Sequence, residues 1–224
     1  MSTTYQTIID KAEIVLQDAE SDQTLRRWPE SEILTWATDS EIEIAKLKED
    51  SYPVIEVVKL VEGSQQPLPD RATQLMDVLS NMSTDGTTRG DIVSVVDKKL
   101  MNAINPSWMV DTAKSFCTHV IYDTLRSPKI YWVYPQSTGT NYLEIMCNKL
   151  PDNGAKVIGD DILLADEYTN SMLHYILAMC FAKDFDIPNS QARTAIHMNI
   201  FLESLGRKEM AEEMYHPKRT KGNV

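Results

Sequence analysis

The sequence predicts an α+β protein: a helical bundle built from the N- and C-terminal helices, with a small antiparallel β module inserted between them. Three observations predict it. Apolar residues recur at helical spacing at both ends of the chain, in Ile8–Leu47 and again in Tyr168–Leu205. Between Val54 and Leu164 the period shortens, and β-branched and aromatic runs alternate with turn formers. Each terminal segment contains two helical patterns joined by a short break, the arrangement of an antiparallel helical hairpin.

Thr3 and Gln6 have the spacing of a capping box, and Ile8, Ala12, Val15, Leu16 and Ala19 then line one face of the first helix. Residues 20–27 read as a polar loop. Trp28-Pro29 opens the second helix, with Pro29 at the first helical position. Its apolar stripe is Ile33, Leu34, Trp36, Ala37, Ile44 and Leu47, and its acidic residues are expected to face out. Pro53 ends this hairpin, assigned to residues 1–52.

The insertion is expected over residues 53–164. Val54–Val61 reads as a strand, and EGSQQPLP cannot be helical across Pro67 and Pro69. A strand is expected around Leu75–Leu79, a loop at SNMSTDGTTRGD, a brief strand at Ile92–Val96 and a short helix over Lys98–Ile104. Phe116–Tyr122, Ile130–Tyr134 and Tyr142–Cys147 complete the strands, the last two expected to pair across the PQSTGTN turn. Residues 165–214 form the C-terminal hairpin. A largely buried helix over Asp166–Lys183 is followed by one over Ser190–Leu205, with Asn189 as N-cap and Gly206 as the left-handed stop. Residues 215–224, YHPKRTKGNV, read as a flexible basic tail.

The chain of 224 residues carries 33 acidic and 22 basic side chains, a net charge of -11. That opposes tight binding to nucleic acid or an anionic membrane surface. The longest apolar run, Ile176–Ala182, is far too short to span a bilayer, and MSTTYQTIIDKAEIV lacks the pattern of a secretory signal. Three scattered cysteines argue for a reduced cytosolic site of assembly rather than a disulfide framework.

Catalytic patterns are sparse. Cys117 and His119 are two apart on an expected strand, so they point to one face, and Cys147 on a neighbouring strand would complete a three-ligand zinc site. The spacing matches no zinc module, and small metal-dependent hydrolase chemistry is the weaker alternative it leaves. Asp160-Asp161 and Asp166-Glu167 precede a helix, where they complement its dipole. No phosphate cradle, nucleophile elbow or dinucleotide fingerprint is present, so no catalytic, metal or cofactor residues are assigned. Trp28, Trp36, Trp108 and Trp132 read as core or interface anchors rather than base-stacking platforms, which normally have basic neighbours, and His174 as an interface or boundary residue.

Taken in order, RRWPESEILTWATDSEIEIAKLK, VEGSQQPLPDRATQLMDVLSNM, IVSVVDKKLMNAINPSW, YDTLRSPKIYWVYPQ, YLEIMCNKLP and DEYTNSMLHYILAMCFAKDFD with the helix ending in ESLGRK resemble the head-to-tail connector, or adaptor, proteins of tailed bacteriophages. The likeness runs from Tyr5 to Lys208. It departs where such proteins commonly carry a Ser or Thr cap after the helix-two tryptophan and this chain has Pro29. The resemblance implies a structural virion protein, not an enzyme. It implies a homo-oligomer, commonly a dodecameric ring, at the head–tail junction beneath the portal protein, bound to tail proteins and passing DNA without specific binding at genome ejection. A tail-tube or tail-completion protein is the alternative within the same particle. On that footing Glu32, Asp39 and Glu43 are expected to face the channel, and Tyr215, His216, Lys218, Arg219 and Lys221 to bind the portal.

Overall fold

The computed structural model describes residues 3–215 apart from 19, 153 and 185, and of residues 207–215 the backbone alone. The chain divides into two compact units: residues 1–48 with 151–224, and residues 49–150.

The first unit holds α1 (Tyr5–Leu16), α2 (Glu30–Leu47), α4 (Thr169–Lys183) and α5 (Ser190–Tyr215). α1 buries Tyr5, Ile8, Ile9 and Ala12, the i, i+3, i+4, i+7 stripe that the sequence carries. Its cap is Thr4, not Thr3: the Thr4 hydroxyl accepts from the Thr7 backbone N–H. Gln6 instead donates to the Asp10 carboxylate at 2.7 Å. The first helical N–H groups need partners, and the returning chain supplies them. The carbonyls of Asp160 and Ile158 accept from the Tyr5 and Gln6 N–H groups at 3.1 and 2.8 Å. α2 begins one residue after Pro29, which takes the cap position without a side-chain bond.

α4 is the helix against which α1, α2 and α5 all pack. Its apolar residues surround the axis, so Met172, Ile176, Leu177, Ala178 and Cys180 are all buried. A single 3-10 turn, Asp166–Tyr168, precedes it. α5 returns antiparallel: Ser171 meets Ser204 through a 2.7 Å hydroxyl bond, and Phe181 at the other end meets His197. Asn189 precedes α5 in the left-handed region, φ 69°, and its carbonyl accepts from Arg193 N–H. Gly206 does not stop the helix. α5 runs nine residues past it, because Gly206 takes an ordinary helical conformation and nothing lies where its side chain would be.

The second unit holds β1 (Pro53–Lys59), β2 (Glu62–Pro67), β3 (Ala72–Met82), β4 (Arg89–Ile92), β5 (Ser94–Val96), α3 (Lys98–Ile104), β6 (His119–Tyr122), β7 (Ile130–Thr138) and β8 (Tyr142–Lys149). One sheet has the order β1-β8-β3-β4, the other β2-β7-β6-β5. Leu75, Val78, Leu143, Ile145 and Cys147 from the first share one core with Val120, Tyr131 and Val133 from the second and with Cys117 just before β6, so the sheets face each other. β7 shows the period of two: Tyr131 and Val133 point into this core, and Trp132 and Tyr134 point out. α3, capped by Asp97, covers that outer face with Met101, against Trp108 and Ile121.

A helical bundle with a small β insert is therefore not the fold. Among the described residues the β part is two four-stranded sheets with their own core, and helix and strand share the chain. The shortfall has a physical cause. β2 (EGSQQP) and β4 (RGDI) are edge strands with little to bury, held by backbone pairing, and hydrophobic alternation cannot reveal them. The expected β7–β8 hairpin is likewise absent. β7 pairs with β2 and β6, whereas β8 lies between β1 and β3. Residues 139–141 carry the chain from one sheet to the other. Gly139 supplies φ 78°, and the buried Asn141 side chain fixes the corner by donating to the Lys114 carbonyl and accepting from the Thr138 hydroxyl. One pair, β5 with β6, is parallel, so the unit is not wholly antiparallel.

Candidate functional site

The acidic line on α2 is real as geometry. Glu32, Asp39 and Glu43 are seven and four residues apart, which places them on one side of the helix. All three are half-buried rather than turned fully to solvent. Glu32 pairs with Lys183 of α4, and Glu43 with Lys46 at 2.6 Å. Tyr175 of α4 lies close enough to Glu43 and Asp39 for their charges, after burial, to push its hydroxyl pKa up. The outermost positions of α2 are instead Ser31, Thr35, Lys46 and Leu47.

The expectation that the acidic residues of α2 all face out fails most clearly at Glu41, which is 1% exposed. Its carboxylate accepts from the Tyr5 hydroxyl at 2.7 Å and from the Leu163 N–H at 2.6 Å, with Leu164 N–H at 3.4 Å. It thus joins α1, α2 and the segment leading into α4. Burial raises its pKa and these bonds oppose the rise. In sequence, Glu41 looks like any other carboxylate on a charged helix.

The zinc arrangement does not form. Cys117 lies in the sandwich core before β6 begins, while the His119 ring lies 6.1 Å from Tyr134, a residue of the opposite face of the sheet. The two-residue spacing puts side chains on one face only within a continuous strand, and β6 starts at His119. Cys147 is fully buried on β8. Burial pushes the Cys117 and Cys147 thiols up to about 12 and about 11, and Cys180 up as well. Such thiols are protonated and serve as small apolar side chains. Among the described residues no three His, Cys, Asp or Glu side chains gather to hold a metal ion. Asp166 accepts from the Thr3 N–H at 3.0 Å, which lowers its pKa and ties the segment before α1 to the turn before α4.

Two features of the α4–α5 hairpin carry no advance signal. The first is a histidine pair. His174 and His197 place their Nδ1 atoms 2.9 Å apart, with ring centres 5.2 Å apart and planes 28° apart. The rings meet edge to edge, one donating and the other accepting. Phe181 lies against His197, and the Arg193 guanidinium sits over Phe181 at 5.3 Å. The second is an open apolar groove lined by Phe181, Ala182, Gln191, Thr194, Ala195 and Met198. The backbone of Tyr215 closes α5. Its side chain and the residues His216, Lys218, Arg219 and Lys221 lie outside the described residues. No described helix is long and apolar enough to cross a membrane.

A comparison with curated proteins returns no match. A family profile described as SU10 adaptor protein matches residues 3–221, which takes in both units and nearly the whole chain. Because that match covers nearly the whole chain, the chain belongs to the SU10 adaptor protein family, a family of phage structural adaptors.

Proposed function

We propose that this adaptor works at the head–tail junction of the virion, as a ring beneath the portal that links the capsid vertex to the tail and surrounds the DNA exit channel. The observation that carries this reading is the family match over residues 3–221. The charge balance supports it. A net charge of -11 repels phosphate, so DNA can pass through such a ring without being held. A heterologous contact repeated around an axis closes a ring of identical copies, dodecameric in the resemblance. Imaging of the particle vertex, or mass measurement with and without the portal, tests the reading. A chain found only along the tail, or one that never joins a portal, would end it.

Within the ring, the α2 line of Glu32, Asp39 and Glu43 contributes to the channel wall. Its support is the shared helical side and the cost of phosphate passing near carboxylates. Replacing all three by Lys is expected to leave particles assembled but to slow DNA release in a salt-dependent way; unchanged release would place the line away from the channel. The basic residues Lys218, Arg219 and Lys221, with Tyr215 and His216, dock on an acidic portal surface. Removing residues 215–224 is expected to abolish portal attachment, and retained attachment would exclude that role.

A further inference from the structure

The first sheet of residues 49–150 ends on β1, and among the described residues no strand lies beyond it. The pairing on its other side decides which backbone groups face that open edge. The Tyr52 carbonyl accepts from the Lys149 N–H at 3.1 Å, and the Leu60 N–H donates to the Asn141 carbonyl at 2.9 Å. The register between these two bonds is unbroken, so Val54, Glu56 and Val58 bond to β8. Ile55, Val57 and Lys59 therefore turn their N–H and C=O groups outward. All three residues are also exposed, Ile55 at 52% and Val57 at 41%.

The other three sheet edges are blunted. β2 is polar, irregular in register between Gly63 and Gln65, and ends at Pro67. β4 has four residues, among them Arg89 and Asp91, and β5 has three. Short length, charge, bulges and proline are the devices that keep an edge from adding strands. β1 has seven residues and no bulge, with Ile55 and Val57 in the middle of its outward set. Pro53 stands only at its start and Lys59 only at its end. Of the edges a second copy offers, β1 is thus the one that can supply a strand of matching length.

We propose that β1 pairs antiparallel with β1 of a second copy about a two-fold axis at Val57, which joins the two β1-edged sheets into one. Outward residues can bond only to outward residues, and that leaves few registers. Setting Ile55 opposite Val57 places Glu56 against Glu56 of the other copy, and setting Lys59 opposite Lys59 does the same with ammoniums; like charges directly opposite are destabilising. Setting Ile55 opposite Ile55 brings Pro53 against Val57, and Pro53 has no N–H to give. Setting Val57 opposite Lys59 leaves Ile55 beyond the end of the other β1. With Val57 opposite Val57, Ile55 meets Lys59 and Glu56 meets Val58. Every outward N–H of β1 then has an acceptor, and no like charges meet. The strand is its own complement. A two-fold contact closes at two copies and does not propagate, so it is separate from the contact between ring neighbours and does not rest on the ring reading.

Cross-linking of the full-length protein tests both the contact and its register. The three native thiols are buried and protonated, so the unaltered chain is a silent background. Val57→Cys puts two thiols opposite each other on the axis, within the Cα separation of about 4.4–6.8 Å that a disulfide spans. Under mild oxidation it is expected to give covalent dimer on a non-reducing gel, collapsed by thiol, and no higher species. Ile55→Cys is equally exposed, but its two copies lie four positions apart along the strands, about 13 Å, and it is expected to stay monomeric. Absence of dimer from Val57→Cys overturns the contact. Dimer from Ile55→Cys overturns it as well, since the thiols would then be meeting by collision or in another register. As a second measurement, the unaltered chain is expected to sediment as a dimer that dissociates on dilution. Val57→Lys, which sets two ammoniums on the axis, is expected to sediment as a monomer with an unchanged circular dichroism spectrum. An unaltered chain that is monomeric at every soluble concentration overturns the proposal and leaves the edge to a strand of another protein. A ring imaged in particles without the covalent dimer sinks this contact alone, and the dimer in a protein that forms no ring sinks the ring reading alone.

Discussion

At the scale of single residues, one carboxylate organises the helical unit. Glu41 receives three hydrogen bonds from two other segments while almost wholly out of water. Removing it takes one acceptor from the Tyr5 hydroxyl and one from the Leu163 N–H, and a buried hydrogen bond lost in this way costs about 1–3 kcal/mol. Glu41→Ala is therefore expected to lower unfolding stability by about 2–4 kcal/mol in denaturant titration. Glu41→Gln keeps an acceptor for Leu163 and a donor for the Tyr5 oxygen, and is expected to cost much less. The pH dependence separates either variant from the native chain. The folded pKa is raised, so the folded state holds its proton more tightly than the unfolded chain. This contribution is full below the unfolded value near 4.5 and falls away as pH rises through the folded value. Glu41→Gln should remove that fall. A Gln variant as damaged as the Ala variant would count against the bonding scheme.

The histidine pair has the opposite sign. Burial lowers both pKa values, and for His197 the charges of His174 and Arg193 lower it further. The unfolded chain then binds more protons, so stability contributed here is full above about 6.5 and is lost as pH falls through the folded values. A second proton would also take the lone pair that accepts the 2.9 Å bond and set two cations against each other beside Arg193. On the neighbouring α2, Glu43 and Asp39 lie by Tyr175, and Glu32 is paired with Lys183. His197→Phe keeps an aromatic ring against Phe181 and is expected to flatten the loss of thermal stability between pH 6.5 and 5. An unaltered slope would mean that the pair does not titrate on unfolding.

At the scale of elements, the sandwich depends on a side chain that behaves as backbone. The Asn81 amide accepts from the Cys117 N–H at 2.8 Å and donates to the Cys117 carbonyl at 2.7 Å and the Asp91 carbonyl at 3.1 Å. It bridges β3 to the approach to β6 across the two sheets. Asn81→Leu is close in volume and removes every one of these bonds, leaving buried backbone groups unpaired. A loss of about 2–4 kcal/mol follows, read as a lower denaturant midpoint with an unchanged slope. A neutral outcome would show that water replaces the amide. The elements most legible in sequence were those with strong periodicity or capping. α3 begins and ends at Lys98 and Ile104, as its Asp97 cap and the Asn105-Pro106 stop imply, and the antiparallel α4–α5 hairpin follows from a short break between two helical patterns. The illegible ones were β2 and β4, whose residues bury little, and the end of α5, where helix propagation overrides Gly206.

At the scale of the molecule, residues 49–150 form a unit with its own core, entered and left by a single chain crossing each. Both ends are pinned inside it: Lys149 N–H donates to the Tyr52 carbonyl and Leu150 N–H to the Arg71 carbonyl. Expressed alone, this segment is expected to unfold in one cooperative transition with a dispersed amide spectrum. A segment that unfolds without cooperativity would show that its core is incomplete without the helices.

Composition, periodicity and the order of short motifs determined by themselves the helical ends, the strand-rich middle, the acidic character and the adaptor kinship. Each depends on local spacing or on charge totals, which a linear string records. Tertiary structure alone decided that β7 and β8 part into different sheets, that Cys117 and His119 face apart, that Glu41 sits inside, and that Phe181 and Ala195 border one groove. These follow from which distant surfaces meet, and a residue's partner across the fold leaves no trace in its immediate neighbours.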